Sequence, residues 1–225
     1  MRHVLTACAL LLGFVAPAGA QKSTVTCPIG GERFSYEAPP PLASHETYLD
    51  QRPVDKAAPW PLAKCPGNGF VLYKSSFSDA ELGRLREFVL SDKYRALSAA
   101  HTPHYLEAAL RRQLGEPPYV IAWALVQATW EASSDPARYK QYAGEALATY
   151  DAISLESLQE IRHRIVKRMI SGELARRLGQ FDSARDRFLE MRDNAELSKP
   201  FFQRIVELQL KLIRAKDTGP HRIPY

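Results

Sequence analysis

The pattern of apolar and polar positions changes near residue 76 of this 225-residue chain. Before that point, short β-prone stretches are separated by prolines and glycines. After it, apolar residues recur every three or four positions, which is the period of an amphipathic helix. The clearest case contains Phe201, Ile205, Leu208 and Leu212. The pattern therefore predicts a mainly α fold preceded by a small β ribbon-like module.

Capping signals place the boundaries of the predicted helices. Ser78 and Glu81 form a capping box, in which each side chain satisfies a free backbone N–H of the first turn. Pro103 and Pro118 stand where helices are expected to begin. The helix from about 119 is apolar on almost every side, which is typical of the centre of a helical array. Together these signals predict helices over 78–90, 92–100, 102–115, 119–132, 134–152, 154–178, 181–192 and 200–216.

Two cysteine turns mark the region before residue 76. They read Cys27-Pro28-Ile29-Gly30-Gly31 and Cys65-Pro66-Gly67-Asn68-Gly69. A zinc ribbon has Cys-Pro-x-Cys-Gly at both places, since four thiolates complete its tetrahedral site. Here Gly30 and Asn68 replace the second cysteine of each pair. The flanking stretches predict a hairpin over 24–36 and a strand over 70–73, with a proline-rich loop between them.

The first twenty residues have the pattern of a cleaved export signal. A short basic start is followed by an apolar run to Val15, and Ala18-Gly19-Ala20 precedes Gln21. We therefore expect a signal peptide over 1–20, a degenerate ribbon-like module over 21–75 and a helical domain over 76–225. The mature chain is expected to be periplasmic or secreted. No later stretch is apolar enough to predict a membrane span.

Two cysteines remain after the signal is removed, because Cys8 is lost on processing. An oxidising compartment favours a bond between such a pair. The sequence therefore predicts a disulfide between Cys27 and Cys65. The alternative is a zinc-binding module that uses Cys27, Cys65 and His45, which lies in the proline-rich loop.

The charged residues are interspersed and give a formal net charge of +5. This distribution is typical of a solvated helical surface and argues against a nucleic-acid groove. One basic group in the predicted helix 154–178 is a candidate face for a protein or peptide partner: Arg164, Lys167, Arg168 and Arg176. The alternative is a salt-bridged solvent face, because Glu160 and Glu173 each stand four residues before an arginine.

Familiar catalytic motifs are missing from the chain. It lacks G-x-S-x-G, a glycine-rich phosphate loop and H-E-x-x-H. His101, His104 and Glu107 have a spacing that a metal site can use, but the same spacing is common around a solvated helix start. His163 stands between two arginines and is predicted to lie on the surface. We therefore expect no enzyme activity and no cofactor, with an envelope enzyme of unrecognised site as the alternative.

The segment from 172 to 188 resembles a tetratricopeptide repeat. In that repeat a small residue lies where the first helix packs closely on the second, and Gly172 is placed for that role. Gly179 is placed at the turn, and Phe181, Ala184 and Phe188 at the inward face of the second helix. The alternative is a generic helical hairpin. The repeat interpretation makes 76–225 a tetratricopeptide-like array, whose concave face would bind partners.

With both halves considered, the chain resembles the bacterial family called domain of unknown function 2225. The matching stretches are the two cysteine turns and the segments 52–54, 76–78, 116–119 and 170–179. The resemblance implies a ribbon followed by tetratricopeptide-like helices, a scaffold role and no known reaction. The two replaced cysteines and the export signal depart from the family pattern. We therefore expect a non-enzymatic exported scaffold or adaptor that is stapled by a disulfide and binds a protein or peptide partner.

Overall fold

The computed structural model describes residues 21–38, 45–54 and 59–224. The predicted signal peptide lies outside the described residues, as do two parts of the proline-rich loop, 39–44 and 55–58.

Each cysteine turn connects two antiparallel strands. Strands β1 (Gln21–Thr26) and β2 (Arg33–Ala38) pair on either side of the first turn, and β3 (Ala63–Lys64) and β4 (Val71–Leu72) pair on either side of the second. In each turn the cysteine carbonyl accepts a hydrogen bond from the glycine four residues later. That glycine has a φ of +78° at Gly31 and +74° at Gly69, a region that side chains disfavour. The predicted small β module is therefore present.

The rest of the chain is helical, as the apolar pattern predicts. The helices are α1 (Asp79–Leu90), α2 (Asp92–Ala100), α3 (Pro103–Leu114), α4 (Pro118–Glu131), α5 (Pro136–Asp151), α6 (Ile161–Arg177), α7 (Phe181–Arg192) and α8 (Pro200–Arg214). Ser78 and Glu81 form the predicted capping box at the start of α1.

The predicted continuous helix over 154–178 is wrong at its beginning. A 3₁₀ turn covers Leu155–Ser157, and Leu158 then takes an extended conformation with its side chain buried. Helix α6 begins only at Ile161. The Arg164 guanidinium donates hydrogen bonds to the Leu158 and Gln159 carbonyls, which satisfies acceptors that a continuous helix would have used internally.

From α3 onward, each helix packs against its neighbours along the chain. Helix α4 lies at the centre, between α3 and α5, and Ala122, Ala124 and Ala128 on it are fully buried. Ala143 and Ala146 of α5 are fully buried as well. Small side chains let neighbouring helix axes approach closely. None of the described helices is both long and apolar enough to cross a membrane.

Two hydrophobic clusters are formed by the part of the chain that the structure describes. The smaller one combines both cysteine turns with α1, α2 and α3, through residues such as Ile29, Phe70, Leu85 and Leu106. The larger one runs through α3 to α8 and also includes Leu49 from the proline-rich region. The clusters therefore cross the predicted boundary at residue 76: the cysteine turns share a core with the first helices, and residue 49 shares one with the later helices.

Candidate functional site

Helices α6 and α7 meet at Gly172. A Cβ atom at this position would lie 2.6 Å from Cζ of Phe188, whose ring is fully buried. Ala184 is also fully buried on α7, and Phe181 is half-buried against the main cluster. Gly179 joins the two helices with a φ of +75°. These five residues therefore form one close helix pair with α6 first and α7 second.

Alternate helices α4, α6 and α8 share one surface, which we call the inner surface. It contains two cavities. The Trp123 cavity, of about 330 Å³, lies between α4 and α6 and is lined by Gln51, Tyr119, Trp123, Arg162, His163 and Val166. The Phe201 cavity, of about 290 Å³, lies between α6 and α8 and is lined by Thr47, Leu49, Gln51, Ile165, Met169, Phe201, Phe202, Ile205 and Ile223.

Residues 45–54 cross the inner surface, and we call them the crossing segment. Tyr48 and Val54 donate backbone hydrogen bonds to the carbonyls of Arg52 and Glu46, so the segment folds back on itself. Its other side pairs with residues 221–223: Leu49 N–H donates to the His221 carbonyl, and Ile223 N–H donates to the Thr47 carbonyl. Gln51 lines both cavities and therefore lies between them.

Leu49 and Asp50 fix the crossing segment to the helices. Leu49 is 4% exposed within the main cluster. Asp50 is also 4% exposed, and its Oδ2 lies 3.9 Å from a terminal nitrogen of Arg177 on α6. Burial raises the pKa of Asp50, although Arg52 and Arg177 act in the opposite direction. The Arg177 guanidinium also lies over the ring of Tyr139, 4.7 Å from its centroid.

Arg176 does not belong to a solvent face, so the prediction for this residue is wrong. Its side chain is fully buried and bonds to both carboxylate oxygens of Glu173, at 2.7 and 3.0 Å, and to the Gln209 amide oxygen. It also donates to the carbonyls of Asp217 and Gly219. Burial raises the pKa of Glu173, against the effect of Arg176. The arginine therefore connects α6, α8 and the segment that follows α8.

The other three residues of the predicted basic face lie on the far flank of α6. Arg164 and Arg168 line a cavity of about 520 Å³ with the 155–159 turn and residues 194–195. Lys167 and Arg168 line a smaller one with Ser171 and Arg187 of α7. Burial lowers the pKa of Lys167. Among the described residues, the Glu173 carboxylate bonds to Arg176, and a Glu160 carboxylate oxygen lies 3.7 Å from Nε2 of His163.

The histidine candidates have different surroundings. His104 is 2% exposed; Nδ1 lies 2.9 Å from Glu107 and Nε2 lies 3.1 Å from the Trp60 carbonyl. Burial lowers the pKa of His104, but Glu107 and Glu131 together raise it overall. His101 stacks on Tyr105 and bonds to the Tyr142 hydroxyl, away from this pair. The three residues therefore serve hydrogen bonding and packing between α3 and its neighbours.

His163 is half-buried rather than fully exposed. Its ring lies 4.3 Å from the Tyr119 ring, centroid to centroid, in the wall of the Trp123 cavity.

The predicted disulfide between Cys27 and Cys65 is confirmed, with the two Cα atoms 5.7 Å apart. Both replaced cysteine positions now support it: Gly30 N–H and Asn68 Nδ2 donate to the Cys27 sulfur at 3.4 and 3.7 Å. The side chain grouped with the two sulfurs is Glu32 and not His45. Two bonded sulfurs and one carboxylate do not provide the four ligands of a structural zinc site. The described residues at the disulfide therefore do not fit a structural zinc ion.

The inner surface is not identifiable from the sequence pattern. Helical spacing indicates core positions for Tyr119 and Trp123. It places Phe201 on the apolar side of an amphipathic helix, and the crossing segment has the composition of a loop. In the structure, Gln51 of the crossing segment has a φ of +64° although it is not glycine. The two cavities are lined by aromatic and aliphatic side chains together with Arg162 and His163, a composition suited to binding aromatic, aliphatic and anionic groups. No family model, curated protein or solved structure matches the chain.

Proposed function

We propose that the chain is a non-enzymatic exported protein whose inner surface binds a segment of a protein partner. The observation that carries the proposal is the pair of cavities between α4, α6 and α8, with Phe201 40% exposed at the rim of one. Arrays of packed helix pairs bind partners on the surface that alternate helices share. Large apolar side chains exposed beside a cavity are typical of such surfaces.

The chemistry of the cavities supports binding over catalysis. None of the described residues that line the Phe201 cavity is titratable. The Trp123 cavity carries Tyr119, Arg162 and His163, but its described lining has no carboxylate, serine, threonine or cysteine to pair with them. General acid–base or nucleophilic catalysis needs such groups within hydrogen-bond reach of one another.

Export is supported by two independent observations. The first twenty residues have the three-part pattern of a signal peptide. The Cys27–Cys65 disulfide is of a kind that forms and persists in oxidising compartments. We place the mature protein in the periplasm or outside the cell, and we regard membership of the family called domain of unknown function 2225 as part of the same proposal.

The proposal is tested by crosslinking in the exported fraction, followed by recovery of the tagged mature chain and its partner. Phe201→Glu is expected to abolish recovery of the partner, because it places a charge at the rim of an apolar cavity. Leu90→Glu is the matched control, since Leu90 is 54% exposed on α1. Lys167→Glu with Arg168→Glu tests the basic flank of α6. Circular dichroism establishes that each variant is folded.

The outcomes separate the surfaces. If the partner is lost with Phe201→Glu and retained with Leu90→Glu, the result supports the inner surface as the binding site. If the partner is retained with Phe201→Glu but lost with Lys167→Glu and Arg168→Glu, it binds the basic flank of α6, which contradicts the proposal. If the partner is recovered equally with all variants, neither the inner surface nor the basic flank of α6 is its binding site.

A further inference from the structure

The crossing segment is bound to the inner surface in the way that a peptide ligand would be. Its main chain is hydrogen-bonded to residues 221–223 at residues 47 and 49. Leu49 fills an apolar site and Asp50 faces Arg177. Recognition of an extended peptide commonly combines main-chain hydrogen bonds with pockets for single side chains. The segment therefore shows which chemistry this surface accepts: an apolar residue followed by a carboxylate.

The carboxylate site is incompletely satisfied by Asp50. The distance of 3.9 Å between Asp50 Oδ2 and the terminal nitrogen of Arg177 is too long for a hydrogen bond. Arg177 Nε and the Tyr139 hydroxyl are buried atoms with no hydrogen-bond partner among the described residues. Buried polar groups without partners are unfavourable. A carboxylate that approaches Arg177 more closely would therefore bind better than Asp50 does.

The main chain of the segment is also strained. Gln51 follows Asp50 directly and has a φ of +64°, a conformation that is unfavourable for a residue with a side chain. A separate peptide does not have to adopt this turn, because it is not required to fold back toward Arg52. Strain in the bound segment favours its replacement by a ligand without strain.

We propose that the inner surface recognises an extended partner segment in which an apolar residue precedes Asp or Glu, and that residues 47–54 occupy this site until such a segment replaces them. The proposal rests on the proposed function and names the kind of partner. Because the bound segment is part of the same chain, a partner can bind only those molecules in which the segment is released. The apparent affinity is therefore the intrinsic affinity multiplied by the fraction of molecules with a released segment.

The probe is a fluorescein-labelled peptide with the sequence of residues 45–54, titrated with the mature chain and followed by fluorescence anisotropy. Leu49→Ala in the protein weakens the competing segment, so the peptide is expected to bind this variant at least tenfold more tightly than the unaltered protein. The control peptide carries lysine in place of the residue corresponding to Asp50 and is expected not to bind. Equal binding of the two peptides would overturn the proposal.

A second variant tests the same step by holding the segment in place. Tyr48 and Arg222 form an antiparallel bridge in which the neighbouring residues make the hydrogen bonds, and such pairs bring Cα atoms close. Tyr48→Cys with Arg222→Cys is therefore expected to form a disulfide that holds the segment in place. The oxidised form should bind the peptide at least tenfold more weakly than the reduced form. The unaltered protein under both conditions controls for reduction of Cys27–Cys65.

The two proposals fail in different ways. Equal peptide affinity of the oxidised and reduced double variant overturns displacement of residues 47–54. If a partner is nevertheless lost on Phe201→Glu, the inner surface remains the binding site and only the inferred partner chemistry is wrong. If Leu49→Ala does not fold, the peptide affinities of the oxidised and reduced double variant are enough to test displacement of the segment.

Discussion

Gly172→Ala is expected to destabilise the protein, although alanine normally stabilises a helix. The new Cβ would lie 2.6 and 2.7 Å from Cζ and Cε2 of Phe188, whose fully buried ring cannot move without disturbing the core. Overpacking of this kind costs about 1–3 kcal/mol. The better helix propensity of alanine offsets at most about 1 kcal/mol. Because the contact is with a fully buried ring, the cost should lie in the upper part of this range, and we expect a net loss of roughly 1–2 kcal/mol in the free energy of unfolding.

Gly144 provides a matched control on α5. A Cβ at this position would meet no atom within 4 Å, so only the propensity of alanine remains. Gly144→Ala is expected to stabilise the protein by up to about 1 kcal/mol. The two identical substitutions should therefore have opposite signs.

Urea unfolding followed by circular dichroism measures both variants, and an unchanged m-value shows that the shift in midpoint is a change in stability. Phe188→Leu removes the ring atoms that the new Cβ would meet, so Gly172→Ala should cost much less in that background than alone. The close-contact argument is refuted if Gly172→Ala is as stable as the unaltered protein. It is also refuted if Gly172→Ala costs as much in the Phe188→Leu background as it does alone.

Three further predictions concern the disulfide, a buried histidine and export. Cys27→Ser should lower the free energy of unfolding by up to ~4 kcal/mol and raise hydrogen exchange in both cysteine turns more than in α4; equal exchange in the variant and the unaltered protein would contradict the stapling role. His104 has a raised pKa in the folded chain, so its contribution is complete below the unfolded value of about 6.5 and is lost as pH rises through the folded pKa. Urea titrations from pH 5 to 9 should show this decline in the unaltered protein and not in His104→Gln. N-terminal sequencing of the exported protein should begin at Gln21, and a cytoplasmic chain that retains Met1 would refute export.

Local signals predict the elements that depend on local physics. The capping box of Ser78 and Glu81, the prolines at the starts of α3 and α4 and the glycines of the cysteine turns all act within a few residues. The Cys27–Cys65 pairing is predictable because only two cysteines remain after position 20. For these features the sequence contains nearly all the determining interactions.

The position of Arg176 is not predictable in the same way. Helical spacing places it near the other basic residues of α6, but spacing does not reveal which distant segments cover that part of the helix. Here Gln209 and the carbonyls of Asp217 and Gly219 cover it. The inner surface escapes prediction for a related reason, since proline-rich composition indicates a loop and not its place of contact.

The pairing of residues 47–49 with residues 221–223 has a consequence for the order of assembly. Glu46 and Arg222 form an ion pair across 176 positions. In a chain that emerges from the ribosome or a translocation pore with its N-terminus first, Leu49 and Asp50 are presented long before their hydrogen-bonding neighbours exist. Contacts between such distant positions form late in folding. The crossing segment is therefore expected to reach its place on the inner surface in one of the last steps of folding. Until then, a molecule bound to the emerging chain has access to the inner surface.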